Sequence, residues 1–191
     1  KDAINFPLTP PFSLINRLSV KLLNIGYYAL GRVNAGSKTV AYEKFFYPLD
    51  GINNWNRAYG PKGFYQYQSV IPAKNAQPAT EAMLAEIRRS GQGSFLAVLK
   101  KFGSKKSLGM LSFPMKGTTL ALDFPNRGES TLELFDRLDS IVLAAGGRLY
   151  MAKDARMSRA MFESTYTNAE SFKKFRDPKL SSDMSRRLLG S

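Results

Sequence analysis

Between residues 63 and 151, segments with the hydrophobic period of a β-strand alternate with segments with that of an α-helix. The order of these segments limits the fold of this chain more than any other feature. Strand-like segments, rich in aromatic and β-branched residues, alternate with segments whose apolar residues recur at helical spacing. The predicted strands are residues 63–71, 95–102, 108–113, 118–124 and 148–151. The predicted helices are residues 79–90, ended by Gly91, and a helix that opens on the capping-box spacing of Ser130-Thr131-Leu132-Glu133 and runs to about Ala145.

This order, β-α-β-β-α-β with one extra strand, predicts an α+β fold. The expected arrangement is a ferredoxin-like split βαβ antiparallel sheet with its helices on one face. Upstream, the apolar pattern from Phe12 to about Leu30 favours a core-facing helix over an interfacial helix on a membrane. A further strand is predicted at residues 42–47, and turn-forming residues after it suggest surface connections. Beyond residue 153 the pattern indicates a C-terminal helical segment with a basic end.

Two missing residue types limit the chemistry of these 191 residues. Without cysteine there are no disulfides, thiolate nucleophiles or thiolate metal ligands. Without histidine most catalytic triads and zinc sites are excluded, and no metal site is predicted. Acid–base chemistry must therefore come from lysine, tyrosine or carboxylates, or from a part of the protein outside this sequence. The formal charge of +13 indicates either an acidic partner or simply a basic, well-solvated surface.

Side-chain alternation along the predicted strands selects candidate binding residues on one face of the sheet. If Leu99, Leu120 and Leu122 face the helices, the opposite face presents mainly polar groups. The residues on that face are Gln66, Gln68, Lys100, Phe102, Thr119 and Ala121. Amide, ammonium and hydroxyl groups suit a polyhydroxylated or anionic ligand. Periodicity alone, however, favours an ordinary solvated sheet face.

The RNA-recognition fold shares this order of elements, and a flavin-free basic binding module of that kind is the alternative from a different functional class. Lys62-Gly63-Phe64-Tyr65 superficially opens like the aromatic signature of that fold. The alternate positions after Phe64 are Gln66 and Gln68, where base stacking needs aromatic rings, and the segment lies on the first strand instead of the third. Nucleic acid is therefore not an expected partner.

A series of longer motifs lies in a fixed order along nearly the whole chain. They are Phe45-Phe46-Tyr47-Pro48-Leu49-Asp50, Trp55-Asn56-Arg57-Ala58-Tyr59-Gly60-Pro61, Gly63-Phe64-Tyr65-Gln66-Tyr67-Gln68, Leu111-Ser112-Phe113-Pro114, Leu122-Asp123-Phe124-Pro125, Gly146-Gly147-Arg148-Leu149-Tyr150 and Ser182-Asp183-Met184. Together they resemble the flavin oxidase subunits of decaprenylphosphoryl-ribose 2'-epimerases, a group of vanillyl-alcohol-oxidase-type FAD-linked oxidases.

The resemblance implies a C-terminal substrate-binding part whose FAD-binding domain lies mainly outside this sequence. Residues 1–62 would form an N-terminal helix and lid-like segments, residues 63–151 the substrate-binding sheet, and residues 152–191 a return to the FAD domain. The start at Lys1, without methionine, fits a fragment, which is expected to be inactive alone. The expected location is cytoplasmic, with peripheral contact to the inner membrane surface.

The implied reaction is the oxidation of a secondary sugar hydroxyl to a ketone. The expected substrate is a polyprenyl-phosphate sugar used as a cell-wall polysaccharide precursor, and a partner short-chain reductase would complete the epimerisation. A sugar-lactone or alditol oxidase of the same superfamily, acting on a free polyol, is the alternative.

Carried over position by position, the resemblance assigns Lys153 to catalysis and assigns Tyr150 and Lys153 to FAD contact. The implied substrate-binding residues are Gln66, Gln68, Lys100, Phe102, Phe46, Thr119 and Ala121. Three of them depart from the family pattern, since Phe46 replaces a tyrosine, Thr119 an asparagine and Ala121 a cysteine. The reaction class is therefore carried over, whereas the exact substrate is not.

Overall fold

A four-stranded antiparallel sheet forms the centre of the protein, whose computed structural model describes residues 4–94 and 96–190. In chain order the elements are β1 (Ile4–Asn5), α1 (Arg17–Val33), α2 (Tyr42–Phe46), β2 (Ile52–Asn53), β3 (Phe64–Pro72), α3 (Ala76–Ser90), β4 (Ala97–Phe102), β5 (Gly117–Pro125), α4 (Glu129–Ala144), β6 (Arg148–Leu149), α5 (Arg159–Thr165), α6 (Ala169–Lys173) and α7 (Asp183–Leu189). The spatial order β4-β5-β3-β6 is that of a split βαβ unit, which confirms the predicted α+β fold.

The main core lies between one face of this sheet and the helices α3 and α4. Leu120 and Leu122 of β5 enter it, as the alternation predicts, whereas Leu99 of β4 is 60% exposed and is not part of it. The side chains that α4 buries recur at helical spacing, at Leu134, Phe135, Leu138 and Val142. Each large apolar side chain buried in this way contributes about 1.5–3 kcal/mol to folding. The C-terminal helices α5 and α7 pack against the same core, through residues such as Phe162 and Leu188.

A second, smaller cluster holds the N-terminal segment against the start of β3. Ile15, Ala58 and Tyr59 are buried there, and Trp55 and Phe64 pack around them. The rings of Tyr59 and Phe64 are stacked, with centroids 4.4 Å apart. The 3-10 turn Trp55–Tyr59 is therefore anchored by its aromatic side chains, although its sequence suggests a surface connection.

The prediction of a core-facing N-terminal helix is wrong. Helix α1 begins after Asn16, whose side-chain oxygen accepts hydrogen bonds from the N–H groups of Leu18 and Ser19 at 3.0 and 3.1 Å. None of its 17 residues is buried. The reason is that α3 and α4 already fill the helix-bearing face of the sheet. Among the residues that the structure describes, Val20 is the one residue of α1 that packs against a core cluster, and it is only partly buried.

Two predicted strands are also wrong. Residues 42–46 form helix α2, in which the Tyr47 N–H donates to the Glu43 carbonyl at 2.8 Å. High β propensity does not make a strand here because no neighbouring strand pairs with this segment in the described parts of the chain. Residues 108–113 form a turn, closed by the Ser112 N–H on the Gly109 carbonyl, and Pro114 lacks the N–H that a ladder requires.

The ends of several helices and strands also differ from the predicted ones. Helix α4 starts at Glu129 with Gly128 at the N-cap, and the predicted capping box at Ser130 does not form. The Thr131 hydroxyl instead donates to the Pro125 carbonyl at 3.1 Å. Strand β6 ends at Leu149, and residues 151–153 form a 3-10 turn. The strand predicted from residue 95 begins at Ala97, and residue 95 itself lies outside the described residues.

Candidate functional site

The sheet face opposite the helices, called the open face below, brings most of the predicted binding residues into register. Gln68 of β3 lies opposite Ala121 of β5, and Lys100 of β4 lies opposite Thr119. The side-chain amide of Gln68 donates to the Thr119 hydroxyl at 3.0 Å. Gln68 and Thr119 are 7% and 0% exposed, so the middle of this face is not the ordinary solvated surface that periodicity favours.

An aromatic row crosses one end of the open face. The connection from β4 to β5 carries Phe113, which is buried. Its ring stacks on Tyr150 with centroids 4.6 Å apart and meets the edge of Phe102 at 6.1 Å. The structure thereby links a predicted substrate contact, Phe102, to a predicted FAD contact, Tyr150. Phe113 was not among the predicted site residues, because its segment was assigned to an additional strand.

The chain leaves β6 beside the same face and places Lys153 there. The Tyr150 N–H donates to the Gln68 carbonyl at 2.8 Å, and the Lys153 N–H donates to the Tyr150 carbonyl at 3.0 Å. A small crevice is lined in part by Gln66, Gln68, Tyr150 and Lys153. Lys153 is half-buried there and forms no salt bridge within the described residues. The sequence-predicted catalytic and cofactor residues therefore lie against the two glutamines of β3.

A network of charged side chains fixes the segment that follows Lys153. The Asp154 carboxylate accepts hydrogen bonds from the Met157 N–H and from Arg187 of α7, both at 2.9 Å. Arg156 forms an ion pair with Asp139 of α4 at 2.8 Å. Burial raises the pKa of Asp139, and the Arg156 charge opposes that rise. Because α4 and α7 both hold this segment, the backbone position of Lys153 is set by the core and not by solvent.

Asp123 is another site residue that the sequence-based assignment missed. It is 3% exposed and lies opposite Gln66 in the register of β3 and β5. The Gln66 amide donates to Asp123 Oδ1 at 3.1 Å, whereas Oδ2 has no hydrogen-bond partner in the described structure. Burial raises the pKa of this carboxyl, and the Gln66 hydrogen bond and the Lys153 charge oppose the rise. Two-residue alternation from Thr119 through Ala121 would have placed it on the open face.

The hydroxyl of Tyr59 is a second buried polar group near this carboxylate. Tyr59 is 1% exposed, and its hydroxyl has no hydrogen-bond partner among the described residues. Burial raises the pKa of Tyr59, and the negative charge of Asp123 raises it further. The segment implied to act as a lid thus contributes a polar group near Asp123.

Phe46 lies apart from this cluster, and Lys100, although it lies opposite Thr119, is not buried with it. Phe46 is 67% exposed on α2, where its ring meets only the edge of Phe45 among the described aromatic contacts. Lys100 is exposed on the edge strand β4. The structure therefore brings together Gln66, Gln68, Phe102, Thr119, Ala121, Tyr150 and Lys153, and it adds Asp123 and Phe113.

Comparison with known proteins supports the relationship that the motifs indicate. No family model matches the chain. A decaprenylphosphoryl-β-D-ribose oxidase from Mycolicibacterium smegmatis is 41% identical over 150 residues, which cover 76% of this chain and 32% of the relative. An uncharacterized protein in the mprA 5' region of Streptomyces coelicolor is 40% identical over 145 residues, or 73% of this chain and 38% of the relative.

The chain thus spans between 32% and 38% of the length of these curated relatives. The resemblance carried by the sequence motifs is confirmed, because this chain is similar over 76% of its length to a decaprenylphosphoryl-β-D-ribose oxidase.

Proposed function

We propose that this chain is the substrate-binding part of an FAD-dependent oxidoreductase that oxidises a secondary sugar hydroxyl to a ketone. One observation carries the proposal. In a chain 41% identical to a decaprenylphosphoryl-ribose oxidase, the open face gathers two amides and a hydroxyl beside the half-buried Lys153. These are the groups needed to bind a polyol and to stabilise charge at a reacting oxygen.

Tyr150 and Lys153 are the residues of this chain that would contact FAD. The donor set fits a flavin edge, because an aromatic ring and an ammonium without a salt bridge in the described part of the chain line the same crevice beside β3. When bound, FAD supplies the hydride acceptor. The Lys153 ammonium would hydrogen-bond the reacting oxygen and offset negative charge that develops beside it.

The rest of the face would bind and orient the sugar. Gln66 and Gln68 are each already anchored through one amide hydrogen, to Asp123 and Thr119 respectively, which fixes their orientation before a ligand arrives. The aromatic row of Phe102, Phe113 and Tyr150 would exclude water from one end of the site. Lys100, exposed at the edge of the sheet, would meet a phosphate outside the buried part.

We propose a polyprenyl-phosphate sugar as the substrate and a short-chain reductase as the partner that reduces the ketone product. The phosphate fits the charge of +13, and the Mycolicibacterium relative is by name an oxidase of a decaprenylphosphoryl sugar. Thr119 and Ala121 shape the floor of the site with a small hydroxyl and a methyl group. They therefore set which sugar hydroxyl can approach Lys153.

Absorbance of the full-length protein that carries this chain tests the proposal. We expect the purified protein to show a flavin band that bleaches when a polyprenyl-phosphate pentose is added anaerobically. Bleaching by a free polyol instead would identify an alditol or lactone oxidase of the same superfamily. A colourless protein that takes up no added FAD would exclude the oxidoreductase function altogether.

We also propose that α1 rests on an anionic membrane surface. Its outward side exposes Leu18, Leu22 and Leu30 by 60% or more, and Arg17, Lys21 and Arg32 lie along one flank. Each basic residue near anionic lipid contributes about 1 kcal/mol to binding. None of the helices in the described ranges is long and apolar enough to cross a bilayer.

Co-sedimentation with vesicles checks this contact. We expect the protein to bind vesicles that contain phosphatidylglycerol, to bind phosphatidylcholine vesicles weakly, and to dissociate as salt is raised. The double change Leu18→Ser and Leu22→Ser should abolish binding. The change Leu108→Ser removes an even more exposed leucine outside α1 and should have no effect. Equal binding by the double variant and its parent would exclude α1 as the membrane contact.

A further inference from the structure

Asp123 is buried in a way that costs folding free energy. Its carboxyl is 3% exposed, and only one of its two oxygens has a hydrogen-bond partner in the described structure. A carboxylate removed from water without full hydrogen bonding destabilises a fold, and an amide of the same shape would fit the Gln66 partner without carrying a charge. If stability alone determined the residue at position 123, we would therefore not expect an aspartate.

The groups around the carboxylate indicate what offsets this cost. Gln66 of β3 holds Oδ1, while Ser94 contacts the Asp123 backbone, its hydroxyl accepting the N–H at 2.9 Å. Gln66 also lines the crevice that holds Lys153, from the turn after β6, and the positive charge of Lys153 opposes the rise in the pKa of Asp123. The other titratable group of this region is Tyr59, from the turn before β3, whose pKa the charge of Asp123 raises. Lys153 is the cation of this set, and it is also the residue assigned to the reacting oxygen.

We propose that Asp123 is a positioning residue that draws the Lys153 ammonium toward the open face and holds it there for the reaction. Gln66 fixes Oδ1 of the Asp123 carboxylate. The other oxygen, Oδ2, has no hydrogen-bond partner in the described structure and is left for the Lys153 ammonium. Without this counter-charge, a flexible lysine side chain at the end of a turn would extend into solvent. The inference rests on the proposed function, since it concerns the same reaction, but its first test does not need the flavin.

The first test compares the stability of Asp123→Asn with that of the parent as a function of pH. The folded protein raises the pKa of Asp123 above its ordinary value of 3.8. The protonated form therefore stabilises the fold below that value, and this stability is lost as pH rises through the folded-state pKa. Asparagine cannot ionise. The variant should melt at a higher temperature than the parent at pH 7, and the two should converge as pH falls toward 3.8.

The second test uses the full-length, flavin-loaded protein. Asp123→Asn should reduce kcat by at least about tenfold with little change in KM, since Lys153 is misplaced in the transition state while substrate binding groups remain. The acid limb of the pH profile of kcat/KM should also change. Asp183→Asn, which alters a fully exposed aspartate on α7, is the control for both tests and should leave melting and turnover unchanged.

The outcomes separate this inference from the proposed function. A variant that is less stable than the parent at pH 7 would show that Asp123 is kept for stability and would overturn the inference. A flavin-loaded variant with parental kcat and pH profile would overturn it as well, while the oxidoreductase function would stand. A protein that takes up no flavin would exclude the oxidoreductase function, and the stability comparison would still decide whether Asp123 carries a charge at the expense of the fold.

Discussion

Replacing Lys153 by alanine in the full-length, flavin-loaded protein should slow flavin reduction by substrate about 10²- to 10³-fold, the loss typical of removing one donor from a developing oxyanion. The ammonium lines the crevice with Gln66, Gln68 and Tyr150. The other cationic group of that lining, Arg156, is already paired with Asp139. Anaerobic stopped-flow measurement of flavin absorbance isolates this step from re-oxidation. The folded state should survive, because the neighbouring Asp154 and Arg156 hold the turn independently of the lysine side chain.

Two further variants make the result specific. Lys153→Arg keeps the charge but replaces a compact ammonium with a planar group, so we expect partial activity. Lys74→Ala removes an exposed lysine from the 3-10 turn between β3 and α3 and should leave the rate unchanged. If Lys153→Ala reduces flavin at the parental rate, the lysine takes no part in the reaction, and the proposal for Asp123 fails with it.

The sheet and its core were predictable from the sequence because local periods determine them. Leu120 and Leu122 alternate with Thr119 and Ala121, and this alternation alone separates the core side of β5 from the open face. Few sheet topologies are compatible with the resulting order of strands and helices. The segment at residues 42–46 was predicted wrongly because its aromatic residues raise β propensity without providing a partner strand.

The site was predictable only in part, because its remaining members depend on contacts between distant segments. Phe113 reaches Tyr150 only after the connection between β4 and β5 folds back on the sheet. Tyr59 comes near Asp123 only because the second core cluster anchors its turn. Asp123 itself lies on a face that alternation identifies, but its burial and its unpaired oxygen are properties of the folded protein.

Gly117 provides a test of how tightly the strands that carry the site are packed. It begins β5, between Pro72 of β3 and Phe102 of β4. A Cβ atom at this position would overlap the Ile71 carbonyl oxygen and lie 3.1 Å from the Pro72 Cα. These obstacles are backbone atoms, so they cannot move aside as the end of a side chain can.

We therefore expect Gly117→Ala to lower the free energy of unfolding by about 3 kcal/mol, at the upper end of the usual cost of overpacking. Urea unfolding of the variant and its parent measures the difference. Gly103→Ala is the matched control, because a Cβ at Gly103 meets no atom within 4 Å. That change should be neutral, or should stabilise by about 0.4–1 kcal/mol through the unfolded chain. Equal midpoints for the two variants would contradict the close approach of β5 to β3, and with it the register that aligns Gln68 with Ala121 on the open face.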